Sequence, residues 1–155
     1  MAKFELVRKY AGQNELLPRR ETQFSAGYDL KAAEDVTIPG LNGDARLKPV
    51  LVPTGVKTHL EKDQVLILAN RSSNALKRNL IVPNGVGVID ADYYNNTNNE
   101  GEIMGLFINL NAEDYKIYKG DRIMQGIITS YAITEDDEAK GKRNGGFGST
   151  DGQKD

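Results

Sequence analysis

The apolar residues of this chain come in short runs, each closed by Gly, Pro, Asn or Asp, and almost none carries a helical period. Short apolar runs bounded by turn formers read as strands. They fall at residues 4–7, 29–33, 36–38, 46–52, 65–68, 80–82, 86–89, 103–110 and 122–133. Pro49 makes the run 46–52 an edge or bulged strand, because proline cannot donate to a ladder. Pro83-Asn84-Gly85 between two runs predicts a hairpin. Lys119-Gly120-Asp121 marks a turn before the last run. Strands at this spacing point to a closed or sandwiched antiparallel all-β domain. Residues 72–78, SSNALKR, are the exception and predict a helix, with Ser72 and Ser73 as N-cap candidates. So short a helix needs tertiary support.

Length and composition bound the chemistry. A chain of 155 residues is about one domain and can bury roughly 70 % of its unfolded surface. With 39 % hydrophobic and 27 % charged residues it is neither a disordered tail nor a membrane protein. Cysteine is absent, which excludes a disulfide scaffold, a cysteine nucleophile and Cys-ligated metals. His59 is the one histidine, and no nucleophile elbow accompanies it, which argues against a serine-hydrolase triad. The formal charge of −2 argues against bulk duplex binding but permits a local basic pocket. The opening MAKFELVRKYAG has no apolar run of signal-peptide length, so a cytoplasmic location is expected. The Asn-x-Ser/Thr matches at Asn70 and Asn95 are then chance.

Two segments read as loosely ordered: the polar stretch YNNTNNE, residues 94–100, and the acidic, then glycine-rich stretch 135–155. The latter is either a frayed tail or a phosphate-gripping flap of Arg, Gly, Phe, Ser and Thr. The densest chemistry lies in NGVGVIDADYY, residues 84–94. Asp90 and Asp92 are two apart, so in extended geometry they share a face. An Asp ending a strand is commonly a turn residue, but beside a hairpin and an aromatic it could hold a water or a metal. Arg71-Ser72-Ser73 at the helix start offers an anion site; the plain alternative is a Ser cap and a surface arginine. Gln125, inside an apolar strand, must be satisfied by the fold or by a ligand.

Five segments, in order, resemble the five motifs of the trimeric deoxyuridine triphosphatases (dUTPases): SAGYDL at 25–30, RSS at 71–73, NGVGVIDADY at 84–93, GDRIMQ at 120–125 and GGFGST at 145–150. The resemblance implies a distorted jelly-roll β-barrel or sandwich at residues 1–134 with one short helix. It also implies a flexible C-terminal arm at 135–155 that closes over a site shared between the subunits of a homotrimer. The implied reaction is Mg²⁺-assisted hydrolysis of dUTP to dUMP and pyrophosphate, which limits uracil incorporation into DNA and supplies dUMP for thymidylate synthesis. On that likeness Asp90 activates the attacking water. Asn84, with Gly87, Val88, Ile89 and Met104, lines the uracil site, and Tyr93 packs under deoxyribose and rejects a 2′-hydroxyl. Arg71, Ser72, Ser73 and Gln125 hold the phosphates. Asp29 serves the metal through water. Phe147 stacks on uracil, and Arg143, Gly148, Ser149 and Thr150 complete the arm's contacts.

The chain departs from the family pattern at three places. The insertion 94–100 separates Tyr93 from Gly101-Glu102, and resembles loops in dUTPases of Gram-positive bacteria and their phages. In the fifth motif Lys142 stands at the usual arginine position and Arg143 at the usual glycine, so either could reach the γ-phosphate; Asp151 replaces a common glycine. In the fourth, Met124 stands where alanine is frequent, and its bulk could shift Gln125. Two rivals follow: a dCTP deaminase of the same superfamily, and a phage-type regulatory protein that contacts a repressor through residues 94–100.

Overall fold

The structure is a computed structural model and describes residues 1–42, 46–143 and 145–148. Its strands are β1 (Lys3–Leu6), β2 (Tyr28–Lys31), β3 (Val36–Ile38), β4 (Val50–Pro53), β5 (Val56–His59), β6 (Gln64–Asn70), β7 (Leu80–Ile81), β8 (Gly87–Asp90), β9 (Met104–Asn109), β10 (Tyr115–Ile117) and β11 (Arg122–Ser130). The one α-helix among the described residues is α1, Ser72–Arg78. No helix among them is long and apolar enough to cross a membrane.

The largest sheet runs β2-β11-β6-β8, antiparallel throughout; a second runs β4-β9-β7, and β1-β5 and β3-β10 form pairs. Alternation along the first sheet sends Leu30, Leu66, Leu68 and Ile89 into the core, where they join Val52 and Phe107 from the second. Contact is close: a Cβ on Gly105 of β9 would lie 2.7 Å from the Phe107 ring and 3.3 Å from Met124 Sδ. The arrangement is a distorted jelly-roll sandwich. The barrel alternative is corrected, because none of the described sheets closes on itself.

The proline rule places β4 well: it starts after Pro49 and is an edge strand. Two strands have no run in the sequence reading. In β5, VKTH, Lys57 and Thr58 are buried polar residues, so no alternation appears; β10 is only YKI. The hairpin expected at 83–85 is also corrected. The turn is there, with Gly85 N donating to Val82 O at 3.1 Å and Gly85 at φ +77°. Yet β7 pairs with β9 and β8 with β6. Asn84 therefore sits at a seam between sheets.

Helix α1 has the predicted bounds but not the predicted cap. Arg71 is the N-cap and makes no side-chain capping bond; both serines lie within the helix. Support comes from buried Asn74, whose Nδ2 donates to Ile123 O at 2.8 Å and to Asn70 Oδ1 at 3.0 Å. The stretch 94–100 is not loosely ordered. Asn96 Nδ2 donates to Tyr93 O, its Oδ1 accepts from the Asn98 and Asn99 amides, and Asn95 N donates to Glu100 O. A run of asparagines looks polar and structureless, but each amide side chain can replace a backbone partner.

Candidate active site

Two clusters form at opposite ends and edges of the four-stranded sheet. The first is built on β8. The seam turn presents Asn84, the strand presents Gly87, Val88 and Ile89, and the 3₁₀ turn Ala91–Tyr93 presents Tyr93. With Met104, Arg143 and Phe147 they line a cleft of about 180 Å³. That is below the ~300–1,000 Å³ of sites for drug-sized ligands, and suits one ring rather than a whole nucleotide. Leu68 and Met124 of the core, with half-buried Val82 and Leu106, complete its lining. Sequence reasoning gave none of these four a place in the site, because they read only as strand interior. Gly146 was missed too; a Cβ there would lie 2.5 Å from Tyr93 Cε2, so only glycine lets the arm pass the ring.

Tyr93 is 4 % exposed. Its hydroxyl donates to Glu102 O at 2.8 Å and accepts from Asn99 Nδ2 at 2.7 Å. Burial pushes its phenol above the ordinary value, against the Asn99 bond.

Asp90 ends β8 just beyond this cleft, in a shallow recess with Lys62, Asp92 and Tyr131. The expectation that Asp90 and Asp92 share a strand face is corrected, since the chain leaves extended geometry after Asp90. Arg143 joins them instead: its Nε donates to Asp92 Oδ1 at 2.7 Å, and its Nη2 pairs with Asp90 Oδ2. Arg143 lines both the cleft and the recess, while Lys142 is exposed and lines neither.

The second cluster gathers three segments far apart in sequence. Asp29 on β2 takes Arg71 Nε at 3.3 Å and Arg122 Nη1 at 3.2 Å. Gln125 stands opposite both Asp29 and Ala69, and its Nε2 reaches Asn70 O only at 3.4 Å. Ser73 Oγ is buried with no hydrogen-bond partner among the described residues. Two arginines, an underused amide and an unpaired hydroxyl make a donor-rich cluster of the kind that could hold an anion. Ser72 is exposed beside it, and exposed Gly148 lines no cleft with the others. Ser149 and Thr150 lie outside the described residues.

The clusters do not meet within one chain. Asp90 pairs with Val65, whereas Arg71 lies beyond the far end of β6. The six residue steps from Val65 to Arg71 span about 20 Å at roughly 3.3 Å each. β2 and β8 are also opposite edges of the sheet. Register nevertheless puts Asp29, Gln125 and Asp90 on the same face, with Val65, Ile67, Ile127 and Val88 between them. Val88 is 56 % exposed and Ile67 and Ile127 are half-buried, so this apolar face lies partly open.

The dUTPase family profile matches residues 13–151. The deoxyuridine 5′-triphosphate nucleotidohydrolase of Lactococcus lactis is 43 % identical over 150 residues, covering 95 % of both chains. That of Wolinella succinogenes is 38 % identical, covering 88 % of this chain and 87 % of its own. Among solved structures, the dUTPase of Streptococcus mutans superposes with a TM-score of 0.80 at 43 % identity, covering 86 % of this chain and 98 % of its own.

Proposed function

Because the chain belongs to the dUTPase family, we propose that it hydrolyses dUTP to dUMP and pyrophosphate at a site assembled from several copies of itself. The observation that carries this is that Asp90, just beyond the ring-sized cleft, and the donors around Arg71 and Gln125 share one sheet face but stand at opposite ends and edges of it. About 20 Å of strand separates Val65, the partner of Asp90, from Arg71, which is longer than a triphosphate. A neighbouring copy brings its anion pocket to this chain's cleft, and the open apolar strip around Ile67, Ile127 and Val88 is the surface such copies bury. The family's homotrimer, with residues 1–134 as body and 135–155 as arm, satisfies that need.

In the cleft, Asn84 and the β8 backbone read the uracil edge, Met104 bounds it, and Tyr93 lies under the deoxyribose. Asp90 accepts a proton from water as the water oxygen bonds to the α-phosphorus. The bond from that phosphorus to the bridging oxygen breaks, and the electron pair leaves on pyrophosphate. Arg71, Ser72, Ser73 and Gln125 meet that growing charge. In the free arrangement Arg143 occupies an Asp90 oxygen; bound triphosphate draws it to the γ-phosphate and leaves Asp90 open to water. Phe147 then covers the base, with Gly148, Ser149 and Thr150 following along the arm. Lid closure of this kind excludes bulk water.

The donor set suits Mg²⁺ held mainly by substrate. No group of three or more His, Asp or Glu that could hold a metal occurs among the described residues. Mg²⁺ keeps waters and takes phosphate oxygens with few carboxylates. Asp29, with one oxygen toward each of two arginines, retains lone pairs for a metal-bound water. When bound, the ion neutralises phosphate charge.

Pyrophosphate release from dUTP, dCTP, dTTP and UTP with Mg²⁺ tests this reading. Turnover of dUTP alone is expected, falling by about 10²–10⁴-fold in Asp90→Asn with unchanged folding. Turnover of dCTP to a deaminated product, or of no nucleotide by folded protein, overturns it. The activity limits uracil in DNA and supplies dUMP, in the cytoplasm.

A further inference from the structure

The insertion after Tyr93 is the feature that the proposed chemistry leaves unused. Its polar groups turn inward. Asn99 Nδ2 donates to Tyr93 Oη at 2.7 Å, while its Oδ1 accepts from Asn96 Nδ2 at 2.8 Å and from Gly101 N at 3.1 Å. Glu100 accepts from Arg8 N at 3.2 Å. Lys57, 9 % exposed on β5, donates to Asn95 Oδ1 at 2.6 Å and to Glu100 Oε1 at 3.2 Å. The same ammonium lies 5.2 Å from the centre of the Tyr94 ring. Gly101 closes the loop at φ +82°, and a Cβ there would lie 2.6 Å from Tyr93 O. The loop is thus pinned to the body at Lys57 and returns a donor to the Tyr93 hydroxyl.

We propose that residues 94–100 are an internal brace, and that Asn99 is a positioning residue that fixes the Tyr93 ring and so sharpens rejection of a 2′-hydroxyl. This rests on the reading of Tyr93 as the deoxyribose platform. A ring that excludes one oxygen by shape must not yield, because a ~1 Å displacement already costs about 10²-fold in a positioned site. The Tyr93 hydroxyl is the ring's far handle, and two partners hold it: Glu102 O and Asn99 Nδ2. Without Asn99 the ring pivots about one bond, and ribose enters more easily. Asn95, Thr97 and Asn98 are the loop's exposed residues; Asn95, Asn96, Asn99 and Glu100 have side-chain partners within the chain.

The test is the ratio of kcat/KM for dUTP to that for UTP in full-length protein. Asn99→Ala should lower it about tenfold, mainly through gained UTP turnover. Asn99→Asp keeps the oxygen that Gly101 N uses but cannot donate to Tyr93, and should behave alike. Tyr93→Phe removes the same contact from the other side, so it serves even where an Asn99 variant fails to fold. Tyr93→Phe combined with Asn99→Ala should be no worse than Tyr93→Phe alone, which already removes both bonds of the hydroxyl. Asn99→Ala and Asn99→Asp with the wild-type ratio, while Tyr93→Ala loses it, would overturn the brace alone. A wild-type ratio in Tyr93→Ala overturns the platform reading and the brace with it. A loss of thermal stability without a change in ratio marks the loop as structural only and also overturns the proposal.

Discussion

Single side chains here act through what presses on them. Gly27 carries no special backbone angle, yet a Cβ there would lie 2.7 Å from Gln125 Oε1 and 3.2 Å from Gln125 Cβ. Gly27→Ala therefore moves the Gln125 amide, proposed above to meet the phosphates, without touching the core. We expect kcat/KM for dUTP to fall about 10- to 100-fold, while urea unfolding changes by less than about 1 kcal/mol. Tyr10 shows a different pressure. Burial, aided by its bond to Glu34, raises its phenol from 10.0 to about 12. Between those values the folded chain keeps a proton that the unfolded chain releases. This contribution to stability is whole below pH 10 and is lost as pH rises toward 12. Unfolding free energy measured across that range should fall by at most about 1.4 kcal/mol per pH unit from this group, and Tyr10→Phe should remove that part of the slope. Such pressures are invisible in the sequence, where SAGYDL marks Gly27 only as part of a motif and Tyr10 lies in no motif at all.

Elements here are legible when their signal is local. Helix α1 was legible at both ends, since good helix formers fill 72–78 and Asn79 ends it in the left-handed region at φ 52°. Its cap was not, because the chain enters extended through Arg71 and both serines pass inside. Asn74 anchors the helix instead, at 2 % exposure, by bonds to Ile123 O and Asn70 Oδ1 and one accepted from Arg78. Asn74→Ala leaves the buried Ile123 carbonyl without this donor. A loss of about 1–3 kcal/mol in unfolding free energy is expected, with weaker dUTP binding because Arg71 and Ser73 adjoin the same helix. Strand β5 escaped sequence reading for a related reason: buried Lys57 and Thr58 are satisfied by groups distant in the chain. No window on the sequence contains those partners.

At the scale of the molecule, the proposed shared site makes a demand that a mixing experiment meets. Asp90→Asn and Arg71→Ala each disable a different cluster. Separately both should be inactive. Mixed under conditions that exchange subunits, they should regain dUTP hydrolysis that neither has alone, because some sites then join an intact Asp90 to an intact Arg71 from another copy. No recovery with confirmed exchange would place the whole site in one chain. Light scattering of the unmixed protein should give a trimer.

The sequence by itself determined the all-β class, most strands, the helix and the motif residues, because strand alternation, turn formers and short motifs are written in consecutive positions. It also marked Asn84, Tyr93 and Asp90 as neighbours, since the turn and strand that carry them are continuous. Tertiary structure alone decided which sheet each strand joined, and hence that the turn at Asn84 spans a seam rather than a hairpin. It decided that Arg143 rather than Lys142 faces Asp90. It also decided that the asparagine-rich stretch is a bonded loop against Tyr93. In the first two cases the deciding energy is a contact between residues far apart in the chain; in the third the short-range bonds are joined by Lys57 of β5, which pins Asn95 and Glu100, and only the packed fold brings these partners together.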